Sequence, residues 1–93
     1  MAIELKTYDV VEHLDSEEEI HLYLEAAFED GDPAIIKNAI ANVARARGMT
    51  DIAQKAGITR AGLYKALGEN GNPSFATMAS ILHALGMRFA VAA

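Results

Sequence analysis

At 93 residues with no cysteine, the chain has room for one modest core and cannot build a disulfide framework or a thiolate metal site. No stretch approaches the ~20 consecutive apolar residues of a membrane span, and residues 1–6 are not followed by the apolar run of a secretory signal, so a cytoplasmic protein with no membrane partner is expected. The net charge of −5 hides a split: residues 1–32 carry eleven carboxylates against Lys6, a net of −10, and residues 33–93 carry seven cations against Asp51 and Glu69, a net of +5. Such asymmetry suggests two partners of opposite charge, one cationic and one anionic. A solvated acidic helix beside an ordinary domain is the alternative. The expected organisation is an acidic arm and helix over 1–32 and a helical domain over 33–93, in one compact unit.

Residues 3–8 read as a short irregular arm, and 8–14 as a first turn or two of helix with Val10, Val11 and Leu14 apolar. Asp15 or Ser16 caps the next helix, and Ser16-Glu17-Glu18-Glu19 is a capping-box pattern with three acids placed where the helix dipole favours them. Ile20, Tyr23, Leu24, Ala27 and Phe28 form one apolar stripe up to Asp30, and Gly31 is a stop. Asp32-Pro33 restarts the chain as an N-cap followed by proline at the first helical position. The helix over 33–47 buries Ile36, Ala39, Ile40 and Val43, and Gly48 ends it.

Residues 50–56 and 59–67 then read as two short helices joined by a tight turn. Ala53 is small where the two must cross. Gly57 can take the positive φ of a sharp turn after a helix, and Ile58 can plug the elbow. Leu63, Ala66 and Leu67 fall on one face of the second helix, and Arg60, Ala61, Tyr64 and Lys65 fall largely on the other. This is the layout of a helix-turn-helix, whose second helix lies in the DNA major groove. A Gly- and Asn-rich loop over 68–73 follows. Ser74 caps a last helix to about residue 85, with Met78, Ile81, Leu82 and Leu85 inward and Gly86 at its end. Residues 88–91 can form a short strand that pairs with its copy across a dimer, or remain a frayed tail.

The pair of helices resembles the helix-turn-helix of lambda-repressor-like DNA-binding domains. Three further runs are similar to the addiction-module antidote proteins, the HigA-like antitoxins: Glu29-Asp30-Gly31-Asp32-Pro33-Ala34, then Ala41-Asn42-Val43-Ala44-Arg45-Ala46-Arg47-Gly48-Met49, then Gly71-Asn72-Pro73-Ser74-Phe75. The likeness extends from about Thr7 to Val91. It implies an antitoxin that binds a ribonuclease-like toxin and represses its own operon. The expected fold is all-α, a lambda-repressor-like bundle of about five helices with a possible short C-terminal strand.

The outward face of the second motif helix is the candidate DNA surface. Arg60 offers a bidentate fork to guanine, Ala61 can meet a thymine methyl, and Tyr64 and Lys65 can reach a base edge or a phosphate. Thr59 sits at the helix N-terminus, as a phosphate contact, a plain N-cap or both. Gly62 costs about 1 kcal/mol within a helix relative to alanine; close approach to DNA or to a neighbouring helix would explain it, and so would tolerance in a short helix. Gln54, Lys55 and Asn72 are candidate phosphate contacts or ordinary polar surface. Arg45 and Arg47 end a helix, where its dipole favours cations anyway.

The acidic helix offers a second surface. Glu17, Glu18, Glu25 and Glu29, with Leu22 and Tyr23 as apolar anchors, suit a cationic toxin; alternatively Tyr23 belongs to the core and the acids keep the chain soluble. Enzyme chemistry has little support. His13, His21 and His83 lack metal-ligand spacing, no phosphate loop or nucleophile motif is present, and no catalytic residue, metal or cofactor is expected. The reading is therefore an antitoxin and autorepressor whose partners are double-stranded operator DNA, a basic toxin and a second copy of itself. Its rivals are a phage-type repressor without a toxin and a protein-interaction module that has lost DNA binding.

Overall fold

A computed structural model of the protein describes residues 16–91; the arm and the first helical turn expected before Ser16 lie outside them. Five α-helices follow one another: α1 Glu17–Asp30, α2 Pro33–Arg47, α3 Met49–Ala56, α4 Arg60–Leu67 and α5 Phe75–Ala84. The all-helical expectation holds. The possible C-terminal strand is not formed: residues 87–91 are irregular, and no strand occurs among the described residues. A strand needs an edge to pair with, and the helices of one chain supply none. Phe89 instead stacks on Phe75, with ring centroids 5.0 Å apart and planes 20° from parallel.

Backbone contacts group the chain into two compact units, Met1–Ala46 and Arg47–Ala93. Charge changes sign after Asp32; contacts change partners within the last turn of α2. The two divisions record different properties of the same chain.

In the first unit the helix ends follow from local chemistry. Ser16 Oγ accepts the Glu19 N–H at 3.1 Å, which satisfies one of the donors a helix start leaves open. Asp32 Oδ1 does the same for Ala34 at 2.9 Å, and Pro33 gives up no hydrogen bond at the first position of α2. Ile20, Leu24 and Ala27 of α1 are buried, as are Ala39, Ile40, Ala41, Asn42, Val43 and Ala44 of α2. Ile36, expected in the core, is half-buried. Tyr23 and Asn42 tie the two helices together: the tyrosine hydroxyl accepts a hydrogen bond from Asn42 Nδ2 at 2.9 Å.

The second unit is built on α3, which packs against both α4 and α5. Ala53 is 2% exposed, small enough for helices to approach closely. After α3 the chain turns at Gly57, where φ is +75°. The Gly57 N–H donates to Gln54 O at 3.2 Å and the Ile58 N–H to Ala53 O at 3.0 Å. This is a Schellman motif, and glycine bears its left-handed residue without a Cβ penalty. Leu63 and Leu67 of α4 and Ile81, Leu82 and Leu85 at the end of α5 are buried. Full burial of a leucine such as Leu63 contributes about 1.5–3 kcal/mol. The exposed Asp51–Lys55 pair on α3, 3.1 Å apart, belongs to a class worth ~0–1 kcal/mol. Packing, not charge, fixes the position of α4.

Gly71 closes the loop that follows. Its N–H donates to Gly68 O at 2.9 Å, and a Cβ there would overlap the carbonyl oxygens of Lys65 and Ala66. Those are backbone atoms that cannot step aside. Gly71→Ala is expected to destabilise the protein by about 1–3 kcal/mol, the usual scale of overpacking. Urea unfolding checks it, and an unchanged midpoint would mean the loop relaxes freely.

Candidate nucleic-acid interface

The helix α4 has a buried side and an exposed one. Leu63 and Leu67 turn inward, and Thr59, Arg60, Ala61, Tyr64 and Lys65 are all exposed. Spacing accounts for part of this: Ala61 and Lys65 recur one turn apart on the side away from Leu63 and Leu67 and Tyr64 lies on the flank, while Arg60, three positions before Leu63, is exposed as the first residue of the helix. Arg60 does not extend freely into solvent. Its Cζ sits 5.4 Å from the centroid of the Tyr64 ring, within cation–π range.

Thr59 is the N-cap of α4, with its Oγ1 accepting the Gly62 N–H at 2.9 Å. That contact uses a lone pair and leaves the hydroxyl proton for another acceptor. A Cβ on Gly62 would stand 3.0 Å from Thr59 Oγ1, so the group nearest this glycine is the cap and not a neighbouring helix.

The remaining candidates separate into two places. Lys65 and Asn72 share an open concavity of about 580 Å³ with Asn70, walled by Ile58, Gly62 and Pro73. Lys55 lines a different one of about 390 Å³, with Ser80, His83, Arg88 and Phe89. Gln54 is exposed on α3. Asn70, His83 and Arg88 were not among the expected surface residues. Asn70 was signalled by its place two positions before Asn72; the grouping of Lys55 with His83 and Arg88 joins positions about thirty apart and leaves no trace in local pattern.

On α1, Glu17, Glu18, Leu22, Glu25 and Glu29 are all exposed, Leu22 at 57%. Glu18, Leu22, Glu25 and Glu29 follow one another at helical spacing along a single stripe. Glu25 Oε2 lies 3.2 Å from His21 Nε2. Tyr23 does not join that surface: it is half-buried, with its hydroxyl held by Asn42. Asn42, only 8% exposed, also accepts through Oδ1 from the Arg45 guanidinium. Arg45 is thus anchored from within its unit, beyond any help from the helix dipole. Among the described residues, no buried side-chain polar atom lacks a hydrogen-bond partner. No helix there is long and apolar enough to cross a membrane.

Two short helices joined by a Schellman turn, the second showing a cationic face to solvent, define a small all-helical protein of helix-turn-helix layout. The chain belongs to the addiction-module antidote family: the family model described as "Probable addiction module antidote protein" matches residues 4–93. A Haemophilus influenzae relative, described only as an uncharacterized protein, is 50% identical over 91 residues, covering 98% of this chain and 94% of the relative. No solved structure matches the chain at a significant level. An antidote is defined by the toxin it counters, so membership points to a regulatory binding protein with a cognate toxin and not to an enzyme.

The cap geometry sets an expectation for stability. Thr59→Ala should cost about 1 kcal/mol, the typical worth of an N-cap, and Thr59→Ser should recover most of it. Denaturant midpoints of the two variants read this directly; equal midpoints would show that the cap contributes nothing.

Proposed function

We propose that this chain is the antitoxin of a type II toxin–antitoxin module, a cytoplasmic protein that neutralises a ribonuclease-like toxin and binds operator DNA as a homodimer to repress its own operon. Family membership supports the toxin half. The observation that carries the DNA half is the exposure of Arg60, Ala61, Tyr64 and Lys65 together on α4 while Leu63 and Leu67 anchor that helix inward. The guanidinium of Arg60 suits guanine O6 and N7, and Ala61 suits a thymine methyl. Thr59, Lys65, Asn72, Gln54 and Lys55 suit phosphates, which fix register without reading sequence. For the toxin, the α1 stripe of Glu18, Leu22, Glu25 and Glu29, with Glu17 beside it, offers carboxylates around one exposed leucine. A toxin that handles RNA carries the complementary charge.

A gel-shift titration on the DNA immediately upstream of the gene tests the first surface. Arg60→Ala should cost about 1–3 kcal/mol and relax sequence choice at one base pair, while Lys55→Ala should weaken all sequences alike and lower the salt slope by about one. Unchanged affinity and specificity in Arg60→Ala would remove α4 as the reading element. Co-purification with the product of the neighbouring gene tests the second surface. The pair Glu25→Lys and Glu29→Lys should abolish capture of a basic partner and leave operator binding intact. Operator binding with no protein partner would favour a phage-type repressor instead; a partner with no DNA binding would favour an interaction module.

A further inference from the structure

We infer that Tyr64 is a positioning residue for base recognition: its ring holds the Arg60 guanidinium in the pose that meets guanine, and Tyr64 itself makes no base contact needed for affinity. The inference rests on the proposed DNA-binding role of α4 and assigns the division of labour within it.

The geometry favours this over two independent contacts. Arg60 is the first residue of α4, Tyr64 stands one turn on, and the guanidinium carbon lies 5.4 Å from the ring centroid. Both side chains are exposed, Tyr64 at 45%, so no core packing forces the contact. An exposed arginine otherwise samples many rotamers, and ordering it on binding costs entropy. A guanidinium lying over a ring keeps its N–H edge free, because the attraction acts through its face. That edge is what pairs with guanine O6 and N7. The helix itself carries no carboxylate that could compete for Arg60. The aromatic face is therefore the structural support that α4 itself provides for this arginine.

An exposed cation–π contact is worth ~0.5–1 kcal/mol, which converts to a two- to fivefold change in affinity. The test is a double-mutant cycle on the upstream DNA fragment, read by gel shift, with dimethyl sulfate interference to locate the guanines whose N7 matters. Tyr64→Ala should weaken binding about two- to fivefold and fade the same guanine signal that Arg60→Ala erases. In the Arg60→Ala background it should cost nothing further. Tyr64→Phe keeps the ring and should bind like the wild type. In the free protein, the Arg60 Hδ and Hε resonances should move downfield in Tyr64→Ala as the ring current is lost. Equal losses from Tyr64→Ala in both backgrounds would overturn the inference while the DNA reading stands, since Tyr64 would then touch DNA itself. A loss in Tyr64→Phe as large as in Tyr64→Ala would overturn it too, by making the hydroxyl the contact. Unshifted Arg60 resonances would overturn it without any DNA present. Failure of the wild type to bind the fragment would overturn the DNA reading and this inference with it.

Discussion

The elbow after α3 is the constraint from which the second unit follows. Ala53 serves it twice. Its carbonyl accepts the Ile58 N–H at 3.0 Å, and the residue is small enough to be buried where α3 packs on its neighbours. With Gly57 in the left-handed region, the chain leaves α3 in one direction only. Thr59 then starts α4, Leu63 and Leu67 point inward, and the outward side of the helix is set by the 3.6-residue period. A bulkier residue at 53 or a branched one at 57 would alter that direction, and the exposed face would turn with it.

Charge plays a separate part from packing. The ion pairs His21–Glu25 and Asp51–Lys55 both lie on exposed helix faces at i, i+4, where they contribute little to stability. A less exposed polar contact centres on buried Asn42, which takes half-buried Tyr23 and the exposed Arg45 together. Exposed charge on helix faces of this kind contributes little to folding. The acidic stripe of α1 and the cationic face of α4 can therefore be altered with small effects on stability, which suits surfaces proposed to serve partners.

Much of this was legible from residue order because it is local chemistry. Ser16, Asp32, Thr59 and Ser74 each cap the helix expected of them, since a cap needs only a short polar side chain and the next three residues. The inward residues Leu63 and Leu67 of α4 and Ile81 and Leu82 of α5 followed from period, and so did Ile20, Leu24 and Ala27 of α1; Phe28, expected in the same stripe, is instead 38% exposed near the end of that helix. What local order could not supply was contact between distant positions. Tyr23 read equally well as core or as partner surface until Asn42, nineteen positions away, was seen to hold its hydroxyl. The C-terminal segment had strand-like composition, but strand formation depends on a partner edge, and the ring of Phe75 met Phe89 instead. Gly62 and Gly71 were visible as glycines; the atoms that crowd them were not.

The fold of the loop over the end of α4 has a consequence for information. Gly71 packs closely on the carbonyls of Lys65 and Ala66, and the helix ends at Leu67. Eight residues at ~1.5 Å each make a rod of roughly 12 Å, which spans about four base pairs at ~3.4 Å apiece. A word of four letters recurs throughout any genome, where competing sites are counted in millions. If this rod is the reader, an address that occurs once must be spelled by more than one of them on the same duplex, so the shortness of a single helix becomes a rule about stoichiometry.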